Sequence, residues 1–136
     1  MRRALISVYD KAGLEKLLKS LVKYGFELIS SGGTAKKIAE LGYKVVEVSE
    51  YTGYPEMPSG LVKTLHPKIH GGILADLSNP FHQEYMKKLE IKPIDLIVVN
   101  LYPFEKVASR NEASFKEVIE NIDVGGPAMI RAAAKA

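Results

Sequence analysis

At 136 residues, 46% hydrophobic and 26% charged, the chain has the make-up of one globular domain with its own core. It contains no cysteine, which excludes a disulfide scaffold, a zinc–thiolate site and a thiol nucleophile. The 19 Lys and Arg exceed the 16 Asp and Glu by a net charge of only +3 and are dispersed, so they read as solvated faces rather than a nucleic-acid track.

Ala4 to Val8 is a short apolar run rich in β-formers and predicts a buried strand. Tyr9-Asp10-Lys11 breaks it, and Asp10 is placed to cap a following helix. In that helix Leu14, Leu17, Leu18, Leu21 and Val22 form one apolar stripe, with Gly25 as the stop. Phe26 to Ile29 is a second strand. It runs into Ser30-Ser31-Gly32-Gly33-Thr34, and a helix follows over Lys36 to Leu41. Tyr43 to Val48 is a third strand, which completes a β-α-β-α-β pattern and predicts an α/β fold with a parallel sheet.

Ser49 to Gly60, with two prolines and two glycines, reads as a long loop. Leu61 to Gly72 has little periodicity, and Ile73-Leu74-Ala75 is assigned as a short strand. Phe81, Tyr85, Met86 and Leu89 mark a helix. Ile94 to Val99 is the strongest strand signal and is expected at the centre of the sheet. Phe115, Val118 and Ile119 give another helix. Asp123 to Pro127 is a turn with Pro127 opening a last helix of small residues, Ala128 to Lys135. No run approaches the roughly 18 apolar residues of a membrane span. A cytoplasmic protein without membrane or nucleic-acid partners is expected.

Ligands of open parallel sheets bind beyond the carboxyl ends of the strands. Four polar or glycine-rich segments fall at such ends: Ser7 to Lys11, Ser30 to Thr34, Asn100 to Tyr102, and Asp123 to Gly126. The Ser/Gly loop matches neither the Walker A nor the GxGxxG pattern. It is either an anion cradle at a helix N-terminus or an ordinary turn capped by Thr34. Lys63 in Lys63-Thr64-Leu65-His66-Pro67 is either a surface lysine or a phosphate ligand and acid. Pro67 separates His66 from His70 and argues against a helical metal-binding pair. Tyr102 can hydrogen-bond a substrate carbonyl, or fill an interface. Asp123 is a base or a turn residue, beside Val124 and Gly125 N–H groups able to cradle an oxyanion.

Taken together, Ser7-Val8-Tyr9-Asp10-Lys11, Ser31-Gly32-Gly33-Thr34-Ala35, Thr52 to Met57, Val62 to Pro67, Asn100 to Phe104, Asp123 to Pro127 and Arg131 to Lys135 occur in an order and spacing that carry a resemblance. Across essentially its whole length the chain resembles the IMP cyclohydrolase domain of bifunctional purine biosynthesis proteins (AICAR transformylase/IMP cyclohydrolase). The resemblance implies a three-layer, methylglyoxal-synthase-like fold and dehydrative closure of formyl-AICAR to IMP. It implies a homodimer, a purine nucleotide as ligand, no metal and no organic cofactor. Carried over by position, it implies Lys63, Tyr102, Asp123 and Lys135 as catalytic residues. The implied substrate-binding positions are Ser7, Val8, Tyr9, Lys11, Ser31, Gly32, Gly33, Thr34, Thr64, Leu65, Asn100, Val124 and Gly125.

Two departures stand out. Leu61 occupies a position where the family usually has arginine. The chain also stops at Ala136, where the family continues through further elements into a transformylase domain, so a truncated piece is expected. Two other readings share the fold: a non-catalytic effector module, similar to the allosteric domain of the large carbamoyl-phosphate synthetase subunit, and a methylglyoxal synthase-like lyase. The paired aspartates associated with the latter are not found.

Overall fold

The computed structural model describes residues 1–136. Its elements are β1 (Arg2–Ser7), α1 (Leu14–Lys23), β2 (Phe26–Ser30), α2 (Gly32–Glu40), β3 (Val46–Glu47), α3 (Val48–Thr52), α4 (Pro67–Leu74), α5 (Pro80–Lys88), β4 (Leu96–Val99), α6 (Phe104–Ala108), α7 (Phe115–Glu120) and α8 (Gly125–Lys135), with a 3₁₀ turn at Pro58–Gly60. The strands form one sheet in the order β3-β2-β1-β4. Every pairing is parallel, and Ala4 of β1 lies between Leu28 and Leu96.

Side-chain alternation along the strands divides the core in two. Ala4, Ile6 and Leu28 face one way, against Leu14, Leu18 and Leu21 of α1 and Ile38 of α2. Leu5 and Ile29 face the other way, against Val48, Ile69 and Ile73 of α3 and α4 and Met129 and Ala132 of α8. The fold is therefore α/β in three layers, helices on both faces of a parallel sheet. This double burial is why Ala4, Leu5 and Ile6 of β1 are consecutive apolar residues.

Several expectations are corrected. Ile94 to Val99 is not central: β4 forms the sheet edge, and its residues are only partly buried. Ile73 and Leu74 end helix α4 instead of forming a strand. Pro67 does not interrupt that helix; it sits at its first turn, where a missing N–H costs nothing, and His66 Nδ1 accepts the Lys68 N–H as the cap. Asp10 does not cap α1. Its carboxylate accepts the Ala12 N–H, and Gly13 occupies the cap position. Helix α2 begins at Gly32, well before Lys36, and α8 begins at Gly125, ahead of Pro127. The third strand shrinks to Val46–Glu47, and the expected long loop opens with α3. Helix α6 had no periodic signal, being only one turn long.

Candidate active site

The carboxyl end of β2 turns directly into α2. Two hydroxyls there hold the turn together. Ser30 Oγ donates to Ile6 O at 2.6 Å, and Thr34 Oγ1 both donates to Val8 O at 3.0 Å and accepts from Val8 N at 3.3 Å. Thr34 thus clamps α2 onto the end of β1, and its hydroxyl is committed to backbone. Ser31 occupies the α2 cap position without a side-chain cap hydrogen bond. The first N–H groups of α2, at Gly32, Gly33 and Thr34, lack intrahelical acceptors and carry the positive end of the helix dipole.

Lys63 reaches this helix end. A Cβ placed on Gly32 would lie 3.0 Å from Lys63 Nζ. The next residue, Thr64, is buried and serves a second helix end: a Cβ on Gly125 would lie 3.0 Å from Thr64 Oγ1. Consecutive side chains therefore join the N-termini of α2 and α8. The segment before them is wound tightly. Ser59, Gly60 and Val62 all have positive φ, at 64°, 68° and 52°. For the β-branched Val62 this costs on the order of 1–2 kcal/mol.

A cavity of about 340 Å³ opens beside the α2 terminus. Its wall includes Ser31, Glu47, Ser49, Tyr54, Glu56, Leu61, Lys63, Leu65 and His66. Glu56 Oε1 lies 3.9 Å from Lys63 Nζ, with both side chains partly exposed.

On the other side, β4 ends in Asn100. Its Oδ1 accepts from Tyr9 N at 2.6 Å and Asp10 N at 3.1 Å, and its Nδ2 donates to Asp10 O at 2.7 Å. The loop after β1 is thereby pinned to the end of β4. Lys11 Nζ turns inward and donates to Val8 O and Tyr9 O, so it too serves this loop. The Tyr9 and Tyr102 rings meet edge to face, 6.1 Å between centroids. Asp123 joins Tyr102 to α8: Oδ1 accepts from Gly126 N at 2.9 Å and Oδ2 from Tyr102 N at 3.3 Å.

The family profile described as MGS-like domain matches residues 13–128. The chain belongs to the MGS-like domain family. It is 57% identical over 135 residues to the bifunctional purine biosynthesis protein PurH of Rhodospirillum rubrum, covering 99% of this chain and 26% of that protein. With the same-named protein of Bradyrhizobium diazoefficiens it shares 60% identity over 133 residues, 98% of this chain and 25% of the relative. The chain thus spans about a quarter of the curated relatives it matches. A crystal structure of ForH superposes with a TM-score of 0.82 at 34% identity, over 98% of this chain and 68% of that one.

This MGS-like domain brings most of the residues singled out in the sequence to the carboxyl edge of its sheet. Ser7 ends β1, and Val8, Tyr9, Lys11, Ser31 to Thr34, Asn100 and Tyr102 lie within about four residues after strand ends. Asp123, Val124 and Gly125 lie at the start of α8 beside Leu101, Tyr102 and Thr64. Leu65 stands on the cavity wall. Lys135 is different. It is the exposed last residue of α8, about 15 Å along the axis from Gly125 at the helical rise, and no hydrogen bond or ion pair ties it to the others. The cavity wall adds residues that composition and spacing did not mark. Glu56 belongs to the Thr52 to Met57 stretch that carries the resemblance but had no role assigned to it, and Glu47 closes a strand only two residues long. No spacing rule reports on contacts made through a folded loop.

Proposed function

We propose that the chain is an IMP cyclohydrolase domain, closing the purine ring of formyl-AICAR to give IMP and water. The observation that carries this reading is the 57% identity to a bifunctional purine biosynthesis protein over 99% of the chain. The site chemistry agrees with it. Ring closure is intramolecular, so holding the substrate folded supplies much of the acceleration. The α2 amides at Gly32 to Thr34, with Ser31 and Lys63, take the 5′-phosphate end. The reacting end lies toward Tyr102, Asp123 and the N-terminus of α8.

In this mechanism the carboxamide nitrogen attacks the formyl carbon and loses its proton to Asp123. The formyl oxygen gathers negative charge and is held by Tyr102 and by the N–H groups of Val124 and Gly125. Asp123 passes the carboxamide proton to this oxygen, and the resulting hydroxyl takes a second proton from Tyr102 and leaves as water. The formamido N–H returns a proton to the Tyr102 oxygen as the C=N bond of the ring forms, while Lys63 stays on the phosphate. The roles assigned to Tyr9 and Asn100 are to shape the wall beside the base. The reading includes a homodimer in the cytoplasm.

The test is purified chain mixed with formyl-AICAR, followed by the ultraviolet change as IMP forms. Turnover that Lys63→Met removes without loss of fold supports the assignment. Tight IMP binding with no turnover would instead favour an effector-binding module on the same fold.

A further inference from the structure

Lys63 is held in an electrostatically unfavourable place. Its ammonium stands at the N-terminus of α2, where the helix dipole already presents positive charge and favours anions. Negative charge beside it offsets that repulsion, which is about 0.3–1 kcal/mol at a partly exposed helix end. The carboxylate at ion-pair distance is Glu56, with Oε1 at 3.9 Å. The backbone between the two is tightly bent. A Cβ on Gly60 would lie 3.3 Å from both Glu56 Oε1 and Lys63 Nζ, so the carboxylate and the ammonium close over that glycine. The turn depends on the positive φ angles of Ser59, Gly60 and Val62. Both acid and base line the same cavity.

We infer that Glu56 is an internal stand-in for the ligand's phosphate: it neutralises Lys63 while the site is empty, and the incoming anion displaces it. This rests on the reading of the α2 terminus as the phosphate end of a nucleotide site. Its consequence is a set point for affinity. A phosphate gains the α2 amides and Lys63, but breaks the Glu56–Lys63 pair and repels the freed carboxylate. At 41% side-chain exposure Glu56 can swing into water when this happens, so the exchange needs no rearrangement of the core. The pair is partly exposed, which makes its contribution modest and the exchange easily reversible.

Calorimetric titration of IMP into four proteins tests this: the unmodified chain, Glu56→Gln, Lys63→Met and the double variant. Glutamine keeps the size of the side chain and removes its charge. The expected result is about fivefold tighter IMP binding in Glu56→Gln, the order of a partly exposed ion pair. Lys63→Met is expected to weaken binding, and Glu56→Gln to gain distinctly less in that background, because the competing pair is gone. Unchanged or weaker binding in Glu56→Gln, while Lys63→Met still weakens it, overturns the stand-in role and leaves the nucleotide site standing. IMP binding that Lys63→Met does not alter overturns both.

Discussion

Lys63 Nζ lies where a side chain on Gly32 would begin, 3.0 Å from the position of a Cβ, and Gly32 itself has φ +56°. Two independent constraints therefore disfavour a side chain there. The left-handed backbone penalises any residue with a Cβ, and the space is taken by an ammonium that the site uses. Gly32→Ala is expected to cost about 1 kcal/mol of stability, seen as a drop of a few degrees in Tm. Nucleotide binding should suffer more, by roughly tenfold, because Lys63 is pushed aside and the first turn of α2 is re-aimed. Calorimetric titration with IMP measures it. A Gly32→Ala protein that binds IMP normally would remove the α2 terminus from the site.

Leu61 lines the cavity and is 56% exposed, so it fills no core space. It stands where the resemblance implies an arginine. An arginine added here would bring a planar fork suited to phosphate beside Lys63. Leu61→Arg is expected to tighten IMP binding several-fold at low salt and to steepen its salt dependence. Titrations at two ionic strengths read both effects. Equal affinity at both would mean that the cavity wall lies outside the reach of the phosphate.

Much of this arrangement was legible in the residues. The three strands and two helices from Ala4 to Val48 were visible because an amphipathic stripe and short apolar runs report burial directly. The edge position of β4 was not, since Leu96 to Val99 is as apolar as a central strand and only the pairing order separates the two cases. Helix α4 was hidden by Gly71 and Gly72. Those glycines weaken helical propensity, yet Gly72 is needed because a Cβ there would lie 2.6 Å from Lys92 O. At the site, the hydroxyl-rich loop left an anion cradle and an ordinary turn both open, and did not reveal that Ser30 and Thr34 spend their hydroxyls on Ile6 and Val8. Sequence gives the type of a polar group; only the fold says which partner has claimed it.

Asn100 shows the same division of labour. All its side-chain hydrogen bonds go to the Tyr9–Asp10 backbone, so it acts as a latch between β4 and the loop after β1. Asn100→Ala would leave two N–H groups and one carbonyl to solvent. The expected loss is about 1–2 kcal/mol, below the sum of three buried hydrogen bonds because the loop is exposed. Urea unfolding measures it. The Tyr9–Tyr102 edge contact depends on the latched loop, so turnover should fall along with stability. Asn100→Asp tests the geometry further: it keeps both acceptor contacts but loses the donor to Asp10 O, and should lie between the two.

Asp123 poses the sharpest choice between a structural and a chemical role. Its carboxylate accepts N–H groups from both Tyr102 and Gly126, at the N-terminus of α8. An aspartate so placed stabilises a helix whatever else it does. Asp123→Asn keeps the shape but has a single acceptor oxygen, so it is expected to lose about 1 kcal/mol in unfolding measurements. If Asp123 takes the carboxamide proton, turnover of formyl-AICAR should fall by at least about a hundredfold. IMP affinity should barely change, because the phosphate end at Gly32 to Thr34 is untouched. Asp123→Ser separates the two roles. A serine is a good helix cap and recovers part of the stability, but cannot serve as a base at neutral pH. Turnover that returned with the stability of Asp123→Ser would make Asp123 a cap and require another base; stability recovered without turnover would leave the proton with Asp123.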